Sequence, residues 1–148
     1  MNFLFDTNIV AFLYDKNSKN HTKIYNQFSA LKDEDNLFVS VLTIYEMQYS
    51  ILNGEPTLQK FFRASLKALE EHFQILPVNK NGAYFYGELK SFLRKNKKIN
   101  RENIKKHNID IILASTARTE NCVLVSADKI YDSCREIWKN FKFQNWLD

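Results

Sequence analysis

Residues 2–8, Asn2-Phe3-Leu4-Phe5-Asp6-Thr7-Asn8, decide the fold of this chain. The run is apolar without alternation until it stops at Asp6, and such a run is typical of a strand buried on both faces of a parallel sheet. Thr7 or Asn8 can then cap a helix that begins with Ile9 and Val10. The stretch therefore predicts a central strand, an abrupt turn at a carboxylate, and a helix.

The same order of strand and helix repeats along the chain. Further strands are predicted at 37–40, 73–78 and 122–126, and alternation over 140–146 predicts an edge strand with one open face. Helical spacing of apolar residues predicts helices near 9–13, 21–31, 42–52, 57–72, 80–95, 108–120 and 129–138. We therefore expect one α/β domain over residues 1–148, with a central, mainly parallel sheet of about five strands flanked by helices.

Composition excludes several other classes of protein. Hydrophobic residues make up 45% of the chain, which is enough for one buried core, and 3 Gly and 2 Pro argue against an all-β fold. Cys122 and Cys134 have no metal-ligand spacing and are expected to be reduced thiols of a cytoplasmic protein. No signal peptide is expected, and no apolar run reaches the 18 residues that a membrane span would need.

Four carboxylates are directed to one edge of the predicted sheet. Asp6 follows the first strand, Glu46 lies about one turn into the helix after the second, and Asp128 lies beyond the strand that ends near Ser126. Asp110 begins the helix before that strand, and crossover helices run antiparallel to the strands, so its first turn lies at the same edge. Like charges about 4 Å apart repel by ~4 kcal/mol near a protein surface, so the cluster predicts a bound cation. Oxygen ligands without a set of His or Cys favour Mg²⁺ or Mn²⁺.

Each acid also has a purely structural interpretation. Asp6, Asp110 and Asp128 could cap the helices that follow them. Glu46 is harder to explain in that way, because an unpaired carboxylate among apolar side chains would be costly. Its sequence neighbours are Val41, Leu42, Ile44, Tyr45 and Met47.

A basic segment lies between the third strand and the Asp110 helix. Residues 90–106 contain eight Lys and Arg residues and a single acid, Glu102. The segment is either a solvated helix end and loop or a patch that attracts phosphate. The candidates for phosphate contacts are Arg94, Lys95, Lys97, Lys98, Arg101, Lys105 and Lys106. The three histidines, His21, His72 and His107, are interpreted as surface or loop residues, so no histidine general acid is expected.

At the acidic positions the chain resembles the PIN-domain family and, within it, the VapC-type toxins of bacterial toxin–antitoxin pairs. The matching motifs are Phe5-Asp6-Thr7-Asn8-Ile9, Ser40-Val41-Leu42-Thr43-Ile44-Tyr45-Glu46-Met47, Asn108-Ile109-Asp110-Ile111-Ile112-Leu113-Ala114-Ser115-Thr116-Ala117 and Leu124-Val125-Ser126-Ala127-Asp128. Each motif is loose alone, but the four occur in the family's order over essentially the whole chain.

The resemblance implies an endoribonuclease that depends on Mg²⁺ or Mn²⁺, is often dimeric, and is held inactive by an antitoxin. It implies that Asp6, Glu46, Asp110 and Asp128 form the acidic quartet, with Thr7 and Ser126 orienting the carboxylates or a water. The family often replaces the last acid by Asn, which makes Asp128 the most variable of the four positions. Asp132, one turn further on, is a candidate for a peripheral ligand, a ligand of a second metal ion or a replacement for Asp128 as the fourth ligand. Our hypothesis is hydrolysis of RNA, in single-stranded loops, by a water that the metal activates, without a covalent enzyme intermediate.

Two alternatives remain open at this stage. One is a non-catalytic RNA-binding or interaction module on the same fold, which would not need all four acids. The other is a phosphatase with an aspartyl nucleophile at Asp6, although the haloacid-dehalogenase-like families that use this chemistry place a second Asp where this chain has Asn8. The sequence does not specify which RNA would be cut.

Overall fold

Five parallel strands form a single sheet in the computed structural model, which describes residues 1–148. The strands are β1 (Asn2–Phe5), β2 (Asn36–Ser40), β3 (Gln74–Leu76), β4 (Val123–Ser126) and β5 (Phe143–Asn145). Their spatial order is β3-β2-β1-β4-β5, and every neighbouring pair is parallel. The predicted α/β class and strand number are confirmed, and the sheet is parallel throughout rather than mainly so.

Eight helices flank the sheet. They are α1 (Thr7–Tyr14), α2 (His21–Ser29), α3 (Val41–Asn53), α4 (Pro56–His72), α5 (Ala83–Lys95), α6 (Arg101–Lys105), α7 (Asn108–Thr119) and α8 (Cys134–Ile137). None of them combines the length and apolar character that crossing a membrane requires. The predicted helix at 129–138 is instead a 3₁₀ turn, Lys129–Ser133, followed by the short α8.

The first strand is buried on both faces, as its unbroken apolar run predicts. Phe3, Leu4 and Phe5 are 5%, 0% and 1% exposed. Leu4 packs into a core with residues of α5 and α7, whereas Phe3 and Phe5 pack into a second core with residues of α1, α3 and α4 on the other face. Two cores therefore hold β1 at the centre of the sheet.

The outer strands are shorter than their sequence patterns predict. β3 has three residues because its ladder with β2 joins only Phe38, Val39 and Ser40 to Gln74, Ile75 and Leu76. β5 lies at the opposite edge, as predicted, and also has three residues. The alternation over 140–146 extends past β5 because Phe141 and Trp146 are buried outside the strand.

Candidate metal centre

Asp6 follows β1 directly and lies beside β4, where its backbone N–H donates to the carbonyl oxygen of Val125 at 2.9 Å. Its side chain is 8% exposed, and Oδ2 accepts a hydrogen bond from Ser126 Oγ at 2.7 Å. The pKa of Asp6 is raised to about 6, mainly by burial and to a smaller extent by the charges of Asp110 and Glu46, against the lowering effect of the Ser126 hydrogen bond. The side chain makes no capping hydrogen bond to α1, so the interpretation of Asp6 as a helix cap is not supported.

Ser126 connects Asp6 to Asp128. Ser126 is fully buried at the end of β4, and its Oγ accepts from the backbone N–H of Asp128 at 3.0 Å while donating to Asp6. Asp128 Oδ1 in turn accepts from the N–H of Ile130 at 3.0 Å, which begins the 3₁₀ turn. One oxygen of Asp128 therefore serves as a cap, and the other makes no hydrogen bond to protein.

Thr7 positions Glu46. Thr7 Oγ1 donates to Glu46 Oε1 at 2.8 Å and lies 2.9 Å from Thr43 Oγ1. Glu46 is partly buried, and its neighbours along α3 at helical spacing are Leu42, Thr43, Tyr49 and Ser50, so its surroundings are mixed rather than wholly apolar. Tyr45 is 69% exposed.

Asp110 lies in the first turn of α7 between two side-chain partners. Its Oδ2 is 3.2 Å from Nδ1 of His107, and its Oδ1 accepts from the hydroxyl of Tyr131 at 3.4 Å. Burial raises the pKa of Asp110, the contact with His107 lowers it, and the charge of Asp128 raises it. Burial raises the pKa of Tyr131 well above its usual value, with the charges of Asp6, Asp110 and Asp128 adding to the effect. Tyr131 is therefore a neutral donor to Asp110.

His107 is the site residue that the sequence reasoning missed. One ligand atom each from His107, Asp110 and Asp128 lies within 4.8 Å of the others. His107 lies in a turn, as expected, but it is beside the acids rather than apart from them. The signal was its spacing of three residues from Asp110, which puts two side chains on the same side of a helix start.

The structure thus brings some of the predicted site residues closer together than others. Asp110 and Asp128 belong to the tight group, and Asp6 and Glu46 lie beside it, since the charges of Asp110 and Glu46 both act on the pKa of Asp6. Asp132 is exposed and makes no hydrogen bond to any of them. Clustered carboxylates with raised pKa values are a donor set that suits a hard divalent cation, because the cation removes their mutual repulsion.

Some side chains of the basic segment have a hydrogen-bond or ion-pair partner within the protein, and others have none. Arg94 donates to the carbonyl oxygen of Ile99, Lys97 pairs with Glu136 at 2.5 Å, and Lys105 pairs with Glu102 at 3.6 Å. Four further residues are exposed and form no ion pair: Lys95, Lys98, Arg101 and Lys106. Lys90 also has partners within the protein. It is partly buried and donates to the hydroxyl of Tyr86 and to Oδ1 of Asn108, the first residue of α7.

A groove of about 480 Å³ opens beside the acidic residues. Thr7 and Glu46 line one part of it, and residues of α1, α3 and α4 line the rest. Four aromatic side chains give the groove its apolar character: Phe12, Tyr14, Phe61 and Phe62. An apolar surface therefore adjoins the candidate metal centre.

A parallel α/β domain with a carboxylate centre at the carboxyl edge of its sheet is the class that this fold and site define. The PIN domain family model matches residues 3–136, and the chain belongs to the PIN-domain family. The resemblance stated from the four motifs is confirmed at this level. No curated protein sequence matches the chain.

Solved structures share the fold over the full length of the chain. A chain of VapBC2 from Rickettsia felis bound to a promoter DNA fragment is 23% identical, with 99% of each chain covered and a TM-score of 0.74. A chain of VapBC-1 from nontypeable Haemophilus influenzae is 23% identical, with 100% of each chain covered and a TM-score of 0.72. VapC20 of Mycobacterium tuberculosis, described as a sarcin–ricin loop cleaving toxin, is 11% identical with a TM-score of 0.61 and covers 89% of this chain and 94% of its own. The predicted PIN-like architecture is confirmed by these matches.

Proposed function

We propose that this chain is an endoribonuclease that depends on Mg²⁺ or Mn²⁺ and serves as the toxin of a toxin–antitoxin pair. The observation that carries the proposal is the carboxylate centre, where burial and like charges raise the pKa of Asp6 and Asp110. Membership of the PIN-domain family supports a nuclease. The RNA-cleaving description of VapC20, which shares the fold, supports RNA as the substrate.

The residues of the centre would divide the work. Asp6, Glu46, Asp110 and Asp128 would hold the cation, while Ser126 fixes Asp6 and Thr7 fixes Glu46 through the hydrogen bonds described above. A bound divalent cation would supply the charge that lowers the pKa of water and stabilises the leaving oxygen. Asp132 makes no hydrogen bond to the centre, so it is retained only as a candidate ligand of a second, outer ion.

RNA would be held by its phosphates. Lys95, Lys98, Arg101 and Lys106 are exposed and free of ion pairs, so their charges are available to a polyanion. Arg94, Lys97 and Lys105 would have to exchange an existing partner for phosphate, so we assign them a secondary role.

An antitoxin would close the site. The structures with the same fold include toxin–antitoxin complexes, and the apolar groove adjoins Thr7 and Glu46. We propose that the C-terminal segment of an antitoxin covers the acidic centre from this side and places an Arg against the carboxylates. We also propose that the protein is cytoplasmic and forms a homodimer. The dimer is supported by an exposed stripe of large side chains along α3, in which Tyr45, Tyr49 and Leu52 are 69%, 68% and 77% exposed.

The rival functions find less support. A non-catalytic module has no need for four acids whose charges act on one another. An aspartyl-nucleophile phosphatase would need a second acid where the exposed Asn8 stands.

The test is cleavage of a labelled RNA by purified protein. We expect cleavage with Mg²⁺ or Mn²⁺, its loss on addition of EDTA, and a loss of about 100-fold or more in Asp6→Asn. Asp33→Asn, at an exposed acid between α2 and β2, is the matched control and should cleave like the wild type. Cleavage that persists in EDTA would refute the proposal. RNA binding without cleavage would support the non-catalytic module, and a phosphorylated Asp6 would support the phosphatase.

A further inference from the structure

We propose that His107 is a nitrogen ligand of the metal centre, acting with Asp110 and Asp128, and that it makes the centre prefer transition-metal ions over Mg²⁺. The inference rests on the proposed metal centre and adds a residue and an ion preference to it. Neither the four motifs nor the acidic quartet that they imply includes this histidine.

The first support is the separation of the ligand atoms. His107 Nδ1 lies 3.2 Å from Asp110 Oδ2. One ring nitrogen of His107, one carboxylate oxygen of Asp110 and one of Asp128 all lie within 4.8 Å of one another. Two ligand atoms that each lie about 2.0–2.2 Å from one ion, at 90–110° to each other, are roughly 3.0–3.5 Å apart. The nitrogen and the oxygen are therefore already at the spacing of two ligands of a common ion.

The second support is that the imidazole of His107 makes no hydrogen bond outside the proposed centre. Asp110 is the only hydrogen-bond partner of the His107 ring, and the side chain is 31% exposed, which leaves it accessible from solvent. The other two histidines have partners outside the site, since His21 Nδ1 contacts the carbonyl oxygen of Phe12 and His72 Nδ1 contacts the hydroxyl of Tyr14. The single partner of His107 is itself a proposed ligand, so an ion at the centre could bind both side chains together.

The third support is the way the backbone fixes His107. It immediately precedes α7, and its carbonyl oxygen accepts from the N–H of Ile111 at 2.9 Å, which anchors the residue to the first turn. Asp110 is tied to the same turn, so the two side chains face each other from one rigid segment. A ligand pair built in this way loses little conformational entropy when an ion binds.

The consequence is an altered choice of ion. Mg²⁺ prefers oxygen ligands and water, whereas imidazole suits first-row transition ions, whose affinities for a nitrogen-containing site increase from Mn²⁺ to Co²⁺ and Ni²⁺. A centre of carboxylates alone would distinguish these ions less. The bond from the His107 nitrogen would be strong for a transition-metal ion and weak for Mg²⁺, so His107 would favour the transition-metal ion.

The test measures binding rather than cleavage. Metal-free wild type, His107→Asn and His107→Gln are titrated separately with Mg²⁺, Mn²⁺ and Co²⁺ by calorimetry, and the visible spectrum of bound Co²⁺ is recorded. We expect each variant to lose about tenfold or more in Co²⁺ affinity and less than about threefold in Mg²⁺ affinity, with a changed Co²⁺ spectrum. His72→Asn, at an exposed histidine outside the site, should match the wild type.

A second variant separates binding from positioning. Tyr131→Phe removes the other hydrogen bond to Asp110 while keeping His107, so its loss of affinity should be similar for all three ions. If the His107 variants show that same uniform loss, or no loss, the histidine is not a ligand and the inference is wrong. If the wild type binds none of the ions, the proposed metal centre itself fails. Two variants are used so that one misfolded protein, recognised by circular dichroism, does not decide the result.

Discussion

Asp6 is a buried carboxyl group, and its burial disfavours the ionised form. Its carboxyl group is 8% exposed and has a pKa of about 6, so near neutral pH the metal-free protein carries a buried negative charge beside other acids. An ionised group whose pKa is raised on folding destabilises the folded state at every pH above that pKa. A cation bound at the proposed centre would offset this cost.

We predict that Asp6→Asn stabilises the metal-free protein at pH 7.5. The pKa rises from 3.8 in the unfolded chain to about 6 in the folded protein, so wild-type stability decreases by about 2 kcal/mol as the pH rises from 4 to 7.5. A neutral Asn avoids that loss and can still accept the hydrogen bond from Ser126. Urea denaturation in EDTA at the two pH values measures the difference.

The pH dependence is the decisive part of this prediction. The advantage of Asp6→Asn should be present at pH 7.5 and should largely disappear at pH 4, where Asp6 of the folded wild type is protonated. Asp33→Asn, which changes an exposed acid, should show no such pattern. An advantage that is equal at both pH values would mean that the charge of Asp6 is not its cause.

Much of the site can be predicted from single residues, but not all of it. Asp6, Asp110 and Asp128 could be placed at one edge because their positions relative to strands and helices fix it. The partners of Glu46 could not, because contact between Thr7 and α3 depends on how α1 and α3 pack. The closeness of His107 to Asp128 could not be predicted, because the two residues are distant in the sequence and are brought together only by the fold.

At the scale of elements, the helices were easier to predict than the ends of the short strands. Helical periodicity extends over many residues, so errors at single positions matter little. A strand in contrast ends where its neighbour stops pairing, as β3 does at the end of β2. The start of the 3₁₀ turn also depends on one local contact, the cap that Asp128 provides to Ile130.

Helix α5 contains a glycine whose replacement by alanine should stabilise the protein. Gly87 lies in its interior and is exposed, and a Cβ atom added there would meet nothing within 4 Å. We predict that Gly87→Ala raises the free energy of unfolding by about 0.5–1 kcal/mol, because alanine loses less backbone entropy in a helix than glycine does. Chemical denaturation measures the change.

Gly54 provides the contrasting case. It ends α3, and a Cβ atom there would lie 2.9 Å from the carbonyl oxygen of Ser50, so Gly54→Ala should lower stability. Opposite signs for the two variants are expected from local geometry alone. A destabilised Gly87→Ala would instead show that this exposed helix face needs the space.

At the scale of the whole molecule, the basic segment belongs to one face of the sheet. It begins in the last turns of α5, which packs on the core that contains Leu89 and Leu93, whereas α4 packs on the opposite core through Leu66 and Leu69. The formal net charge is +4. The local concentration of cations after α5 is therefore more informative about a polyanionic partner than the total charge is.

We predict that RNA binding weakens steeply with salt and that the free lysines account for part of the slope. In the Asp6→Asn background, which prevents cleavage, Lys95→Ala and Lys98→Ala should each lower the slope of log affinity against log salt by about 0.7 for a single strand. Fluorescence anisotropy at several salt concentrations measures the slope. Lys67→Ala on α4 is the control, and an equal effect of Lys67→Ala would mean that binding is not localised to the basic segment.

The pairing of β1 with β4 has a further consequence for when the centre can exist. This ladder joins residues 3–5 to residues 123–125, and the hydrogen bond from Ser126 to Asp6 spans 120 residues. Such distant contacts are costly in chain entropy and form slowly. During synthesis Asp6 cannot make this contact until residues 123–126 have left the ribosome. The centre therefore cannot assemble while only the first strands and helices have been synthesised.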